Sequence, residues 1–493
     1  MNGVVKTRSG AVRGSVADGV TTFKGIPYAA PPFGANRLRP PQPVEPWSGV
    51  RDALGYGAKP PAVSYPPGWD VLIPEPADAG ADCLNLNVWS ADLGSAGHPV
   101  MVWIPGGMFE HGTSAGYEGS RFARDGIVCV TINYRPGADG FLYLGDGTAN
   151  LGLLDQVAAL EWVQENIASF GGDPGKVTVF GQSAGAMSIG MLLAMPRAEG
   201  LFGRAIAQSG GAQPVISVET AQRVGQRLAE KLGVEATREG MAAVPTDRWL
   251  QAQAELKADL VANPDPARWG REVAVSRILW QPVVDGDIIP TRPIERIAAG
   301  AGAGIDLLVG SNRDEWNFFL VPGGMIDQIT PEVLPGAVAA YGLPVDATLA
   351  AYRAAQPGAS AGELLSAIQG DWYFRMPALR LAEAHAPGPA ATYMYEFAWR
   401  SPQFNGRLGA CHGLDVAFVF DTLGNGTEPL LGPDPPQQLA DAMHSAWVAF
   451  ATKGDCGWPR YERGRRATMR FDATSEVVDD PRSAVRTLWE GMR

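Results

Sequence analysis

The run Lys176-Val-Thr-Val-Phe-Gly-Gln-Ser-Ala-Gly-Ala-Met-Ser-Ile189 constrains this chain more than any other stretch of its 493 residues. Val177 to Phe180 is β-branched and apolar, as a buried strand is, and the small residues from Ala184 onward can start a helix. Between them stands Gly181-Gln182-Ser183-Ala184-Gly185. A serine in G-x-S-x-G, placed between a strand and a helix, occupies a sharp, strained turn and projects its hydroxyl from the C-terminal edge of a sheet. Any Cβ at the two glycine positions would collide as strand and helix close on each other. The pattern predicts a base and an acid later in the chain, and backbone N–H donors that form an oxyanion hole.

The rest of the chain supplies the matching frame. Short β-like runs open it at Val4–Thr7, Ala11–Val16 and Val20–Lys24. A proline-rich wrap from Gly25 to Trp47 follows and reads as ordered coil, since proline lacks the donor a central strand needs. Mostly apolar runs recur at Leu86–Trp89, Val100–Ile104, Ile127–Ile132, Val177–Phe180, Ala205–Ala207, Ile305–Val309 and Thr392–Phe397, as in strands covered on both faces. Leu153, Val157, Leu160, Val163 and Ile167 recur at helical spacing until Gly171-Gly172-Asp-Pro ends the helix. Strands alternating with helices predict an α/β fold: a large central, mostly parallel sheet with helices on both faces and small antiparallel strands at the N-terminus. The stretches at about 212–300 and 320–390 are helical and irregular. They read as insertions over the C-terminal edge of the sheet, forming a lid and pocket region. Large α/β enzymes hold such a length in one unit, so a single domain over residues 1–493 is expected.

Composition narrows the partners. The formal net charge is −12 and no basic cluster rises above scattered arginines, which argues against nucleic acid. No apolar run approaches the ~18 residues needed to cross a bilayer, and the first residues, Met-Asn-Gly-Val-Val-Lys-Thr-Arg-Ser-Gly, lack an apolar leader. The expectation is a soluble, cytoplasmic protein, and a monomer. Cys83, Cys129, Cys411 and Cys456 form no C-x-x-C pair and read as small buried thiols in a reducing compartment. No metal-ligand spacing and no phosphate-binding glycine motif is present, so no metal and no cofactor is expected.

Five histidines compete for the role of base. His98 and His111 precede Ser183. His385, in Ala382-Glu-Ala-His-Ala386, reads as an exposed helix end, and His444, in the periodic segment Gln437–Thr452, as a packed or surface residue. His412 lies in the small-residue loop Gly409-Ala-Cys-His-Gly413, where a ring has room to act. The acid should follow a strand between serine and histidine. Ile305-Asp-Leu-Leu-Val-Gly-Ser-Asn-Arg-Asp-Glu315 offers both Asp314 and Glu315, and either could instead serve only as a carboxylate at a helix N-terminus. Val102-Trp-Ile-Pro-Gly-Gly-Met-Phe109 offers the loop for the N–H donors.

These segments, taken with Lys24-Gly-Ile-Pro-Tyr-Ala-Ala-Pro-Pro32, Asp82-Cys-Leu-Asn-Leu-Asn-Val88, Thr131-Ile-Asn-Tyr-Arg135, Asn150-Leu-Gly-Leu-Leu-Asp-Gln156, Phe170-Gly-Gly-Asp-Pro174 and Gln208-Ser-Gly210, resemble the type B carboxylesterases. The likeness is to the cholinesterase and para-nitrobenzyl esterase group, nearest to its bacterial members, and spans nearly the whole chain. It implies an α/β-hydrolase fold, Ser183 as nucleophile, Glu315 rather than Asp314 as acid, His412 as base, and an oxyanion hole from the N–H groups of Gly107, Met108 and Ala184. It implies that Ser209 supports the acid, and that Met108, Trp316, Phe319, Leu320 and Phe374 line the substrate pocket.

The departures from the family pattern are Pro105 where an aromatic or histidine is common, Met108 in place of a third glycine, and Trp316 where glycine usually follows the acid. The last two add bulk near the site. Cys83 also lacks the partner of the first family disulfide, since Lys59-Pro-Pro-Ala62 holds no cysteine. The implied reaction is hydrolysis of small-molecule carboxylic esters, with short- to medium-chain acyl or aryl groups, through an acyl-enzyme. The alternatives are a non-catalytic binding domain of the same fold, or an amidase, carbamate hydrolase or acyltransferase with the same machinery.

Overall fold

The computed structural model describes residues 3–492 apart from 67, 68, 70, 71, 74 and 75. The chain divides into two compact units, one of residues 1–65, 75–205 and 213–302, the other of residues 66–74, 206–212 and 303–493.

In the first unit, strands β1 (Ser15–Ala17), β2 (Val20–Pro27), β3 (Asn85–Ser90), β4 (His98–Ile104), β5 (Val128–Ile132) and β6 (Gly172–Gln182) lie in the spatial order β6-β4-β5-β3-β2-β1. The pairs β4–β5 and β4–β6 are parallel, while β3–β5, β2–β3 and β1–β2 are antiparallel. Every residue of β3 and β5, and Val100 through Ile104 of β4, is buried, which is why these segments read as continuous apolar runs instead of alternating ones.

Two boundaries differ from the sequence expectation. The run Ala11–Val16 is not one strand. Ala11–Arg13 pairs with Val4–Lys6 and with Val50–Asp52 in a separate small sheet, and the chain breaks at Gly14, where an added Cβ would meet the Thr22 carbonyl oxygen at 2.5 Å. Strand β6 starts at Gly172, well before the apolar run at Val177, because its ladder reaches back to pair Gly172 with His98.

Helix α1 (Leu151–Asn166) ends as expected, in a short 3₁₀ turn and then Gly171 at φ 89°. It is tied down by a buried ion pair. The Arg135 guanidinium donates from Nε and Nη2 to the two carboxylate oxygens of Asp155, both at 2.7 Å. Helix α2 (Ala184–Ala194) is buried at every residue. Its close packing depends on glycine: an added Cβ on Gly185 would lie 2.0 Å from the Ile104 carbonyl oxygen, and one on Gly181 would lie 2.6 Å from the same atom.

Strand β7 (Arg204–Gln208) is where the chain passes from the first unit to the second. In the second unit it lies beside β8 (Asp306–Asn312), followed by β9 (Thr392–Phe397), β10 (Ala467–Phe471) and β11 (Glu476–Asp479). The pairs β8–β9 and β9–β10 are parallel and β10–β11 is antiparallel. The β10–β11 hairpin was not signalled by the apolar pattern, because β11 is almost wholly exposed and β10 half polar.

Helices α3 (Met376–His385), α4 (Leu414–Phe420) and α5 (Gln437–Lys453) belong to this unit. His385 is not the exposed helix end its sequence suggests. It is buried, with Nδ1 2.8 Å from the Thr392 hydroxyl at the start of β9. His444 is packed, with Nδ1 2.7 Å from the Val419 carbonyl. All four cysteines are buried free thiols. Among the described residues no single helix is long and apolar enough to cross a membrane.

The contact at Gly185 generates a stability prediction. Gly185→Ala should lower the free energy of unfolding by about 1–3 kcal/mol, because neither backbone can yield without cost. Gly336→Ala, in the helix Val333–Ala340 with nothing within 4 Å of the new methyl, should leave stability unchanged or raise it by about 0.4–1 kcal/mol. Urea denaturation of the two variants measures both, and equal midpoints would contradict the packing argument.

Candidate active site

The residues marked by the sequence are divided between the units: Ser183, Ala184 and the 105–108 loop in the first, Ser209, Glu315, His412, Trp316, Phe319, Leu320 and Phe374 in the second. In the first unit Ser183 sits between the end of β6 and the start of α2, buried, at φ 58° and ψ −125°. That conformation is costly for a residue with a Cβ and is retained here by the strand and helix on either side.

The loop after β4 lies against it. A Cβ on Gly106 would come within 2.7 Å of the Gln182 carbonyl oxygen and 2.9 Å of the Ser183 Cβ, so only glycine lets the loop run this close. Gly107, Met108 and Phe109 all have positive φ, which turns the loop sharply. The turn is closed by hydrogen bonds from the Glu110 and His111 N–H groups to the Gly107 carbonyl, at 2.9 and 2.8 Å. It is held from outside by the Lys257 ammonium on the Glu110 carboxylate at 2.8 Å and by the Tyr134 hydroxyl donating to the Pro105 carbonyl at 2.9 Å. Among the described residues the N–H groups of Gly107, Met108 and Ala184 have no acceptor. The Met108 side chain is half-buried.

In the second unit Glu315 follows the end of β8 and is buried. Its Oε2 lies 2.6 Å from His412 Nδ1, and its Oε1 accepts the Asn312 N–H at 2.8 Å. The His412 backbone N–H also donates to the Glu315 carbonyl at 3.2 Å, so ring and backbone are both referred to one residue. A carboxylate accepts only, so Nδ1 carries the shared proton and Nε2 is the basic nitrogen of the ring.

The geometry separates the two acids that the sequence left open. Asp314 points elsewhere: its Oδ2 accepts the Ala410 N–H at 2.9 Å and a 3.2 Å hydrogen bond from Arg400. It clamps the loop carrying His412 and does not touch the ring. Ser209 is buried at φ 56° with its N–H on the Gly310 carbonyl, and its hydroxyl has no hydrogen-bond partner among the described residues.

A second buried carboxylate was not foreseen. Asp415, on the first turn of α4, accepts from Gln208 Nε2 at 2.9 Å, Tyr395 hydroxyl at 3.0 Å and Asn312 Nδ2 at 3.2 Å. Both amides are fixed in orientation. The Trp447 indole N–H donates to Gln208 Oε1, and Asn312 Nδ2 also donates to the Cys411 carbonyl. Asn312 therefore bridges Glu315, through its backbone, and Asp415, through its side chain. Burial raises the Asp415 carboxyl above the ordinary carboxylate range; the Gln208 hydrogen bond opposes this and the Glu315 charge adds to it. The one sequence signal was its place three residues beyond His412 in the chain.

The aromatic residues assigned to a pocket form a cluster. Trp316 stacks on Tyr373 with ring centroids 4.2 Å apart and lies 4.4 Å from Phe319, and Phe374 stacks on His412 at 4.2 Å and 30°. Leu320 is buried at the end of the short helix Asn317–Leu320. Phe374 belongs to a π-helical turn, Asp371–Arg375.

Comparison with known proteins agrees over the whole chain. Residues 1–487 match the family model described as the carboxylesterase family. The chain is 38% identical over 512 positions to the para-nitrobenzyl esterase of Bacillus subtilis (strain 168), covering 98% of this chain and 97% of that one. It is 35% identical over 511 positions to the phenmedipham hydrolase of Pseudarthrobacter oxydans, covering 98% and 99%. Among solved structures, a carboxylesterase of Geobacillus stearothermophilus superposes with a TM-score of 0.86 at 37% identity, over 99% of this chain and 100% of that one.

The environment of Asp415 fixes the sign of a pH effect. A carboxyl raised in the folded state binds its proton more tightly there than in the unfolded chain. Its contribution to stability is therefore greatest at low pH and falls as pH rises above the unfolded value of ~3.9. Asp415→Asn cannot ionise, so its stability relative to the parent should improve as pH rises above that unfolded value. Urea midpoints at several pH values test this; parallel curves would show that Asp415 ionises as easily folded as unfolded.

Proposed function

The chain belongs to the carboxylesterase family, has its α/β-hydrolase fold and hydrolyses carboxylic esters, and on that premise we propose that it works through an acyl-enzyme on Ser183 with His412 as base and Glu315 as acid. The observation that carries the assignment is the 2.6 Å hydrogen bond between Glu315 and His412 Nδ1. It fixes the tautomer in which Nε2 takes the Ser183 proton as Oγ attacks the ester carbonyl.

Glu315 then stabilises the imidazolium, and the N–H groups of Gly107, Met108 and Ala184 receive the oxyanion of the tetrahedral intermediate. The strained backbone at Ser183 and the glycine-permitted approach of the 105–108 loop to it support this assignment. His412 returns the proton to the leaving alcohol, and water repeats the sequence on the acyl-enzyme.

The substrates are small esters, with Trp316, Phe319, Leu320, Phe374 and Met108 as the apolar wall. A cytoplasmic location is part of the same reading, supported by four cysteines that are all free thiols.

Ser183→Ala should keep the parent's thermal transition and lose p-nitrophenyl butyrate hydrolysis; turnover near the parent's would remove Ser183 as nucleophile. Glu315→Gln should lower kcat/KM by on the order of 10²–10⁴-fold, as expected when the imidazole loses its orienting charge. Asp314→Asn, which loosens only the loop, should stay within about ten-fold. The reverse order of the two effects would give the acid's role to Asp314. Turnover of anilides and carbamates, and acyl transfer to added alcohol, measured beside ester turnover, would show whether ester cleavage is the main activity.

A further inference from the structure

A hydrogen bond at Nδ1 does not by itself fix the tilt of an imidazole. The His412 ring also has an aromatic ring stacked on its face. The Phe374 centroid is 4.2 Å away at 30°, with Phe319 at 5.4 Å and Phe318 at 6.4 Å beyond it. Phe319 and Phe374 lie nearly parallel, 9° apart in plane.

Phe374 is itself held with unusual firmness. A π-turn places five residues where an α-turn places four, and such turns recur at functional positions. This one is clamped end to end by a buried ion pair. Arg375 Nε donates to Asp371 Oδ1 at 2.6 Å and Nη2 to Oδ2 at 2.9 Å. The Tyr352 hydroxyl donates to Asp371 Oδ2 at 2.6 Å and accepts from the Trp489 indole N–H at 3.0 Å, and the Arg482 guanidinium lies 3.6 Å from Asp371. A buried ion pair is seldom the cheapest way to stabilise a core, so one closing a π-turn is better accounted for by what the turn positions. The turn sets Tyr373 on Trp316 and Phe374 on His412.

We propose that Phe374 is a positioning residue for the base, holding the plane of the His412 ring and favouring its charged form over its neutral form through the π face. The inference rests on His412 being the base of the reaction. The ring face attracts a cation and is nearly indifferent to a neutral imidazole. The contact therefore strengthens as the proton leaves Ser183, which is the condition for an interaction to accelerate the chemical step and not merely to bind substrate. The ionisable groups around the ring in this unit are Glu315, bonded to it; Asp314 and Cys411 on the adjoining segments; Asp415 and Tyr395 beyond Asn312; and Tyr373 with the internally paired Asp371 and Arg375 on the π-turn.

The test uses the full chain with Phe374→Leu, Phe374→Tyr, and pentafluorophenylalanine in place of Phe374. The fluorinated ring keeps the shape and inverts the ring quadrupole. Substrate is p-nitrophenyl acetate, whose small acyl group makes pocket volume matter least. Phe374→Leu should lower kcat roughly three- to thirty-fold, the range of a desolvated ring–cation contact, with KM within about two-fold. The acid limb of the kcat/KM profile should move to lower pH. Phe374→Tyr should restore both. The fluorinated ring should move the acid limb in the same direction as leucine while leaving the thermal transition in place, which keeps the test decisive if the leucine variant folds poorly.

The His412 Cε1–H resonance, identified by its loss in His412→Asn, should titrate at lower pH in the same two variants. A change confined to KM and acyl preference, with the acid limb and the resonance unmoved, would overturn the proposal and leave Phe374 as pocket wall. Activity retained by His412→Asn would instead overturn the assignment of the base, whatever the resonance does.

Discussion

The carbonyl oxygen of Ile104 occupies space that a methyl group on Gly185 would need. That exclusion governs the first unit. Strand β4 can end where it does only because α2 begins with small residues, and α2 can begin there only because Ser183 accepts a conformation that costs energy. Gly181, Gly185 and Gly106 each remove a side chain from the same small volume. The strain at Ser183 is therefore not a local accident but the result of three backbones approaching closely, and the surrounding buried strands make the arrangement rigid.

The second unit meets a different problem, that of placing carboxylates where there is no water. Each is resolved by donors whose own orientation is fixed. Glu315 has a backbone N–H and a ring nitrogen; Asp415 has two amides locked by an indole and a carbonyl; Asp371 has a two-pronged guanidinium and a phenol. For Asp371, burial pushes the carboxyl up, but Arg375 and Arg482 outweigh it and hold the group below the ordinary range. For Asp415 no cation is in its hydrogen-bond set and the group goes the other way. Two buried aspartates of similar exposure thus shift in opposite directions because one has arginines and the other has amides. In the first unit the buried Asp155 likewise meets a two-pronged guanidinium, that of Arg135, and both partners fall in segments that carry the family likeness.

Much of this was legible in the chain. Strand positions along β3, β4, β5, β8 and β9 follow from unbroken apolar runs, since burial on both faces erases alternation. The turn at Ser183 follows from glycine spacing, and the small-residue loop singles out His412 as a candidate base. The choice between Asp314 and Glu315 was not decidable from residues alone, because adjacent carboxylates on a tight turn point in different directions and only the likeness to relatives favoured one. Three failures have physical causes. His385 looked exposed because it stands at a helix end, yet the first residue of β9 supplies a hydroxyl that satisfies its ring. The β10–β11 hairpin at the exposed edge carries no apolar signature. Asp415 was missed because its partners, Gln208, Asn312 and Tyr395, come from three separate strands, and no local pattern announces a polar network assembled across a sheet.

The four cysteines, every one of them sealed in the interior, give the molecule a built-in indicator of its own integrity. A thiol must reach solvent as thiolate before it can be alkylated or oxidised, and burial holds each of these thiols up from its ordinary value. Labelling reagents will thus find nothing to react with until the interior opens. The rate of their uptake becomes a clock for that opening, and oxidative damage to these sites becomes a record of past unfolding instead of a cause of it.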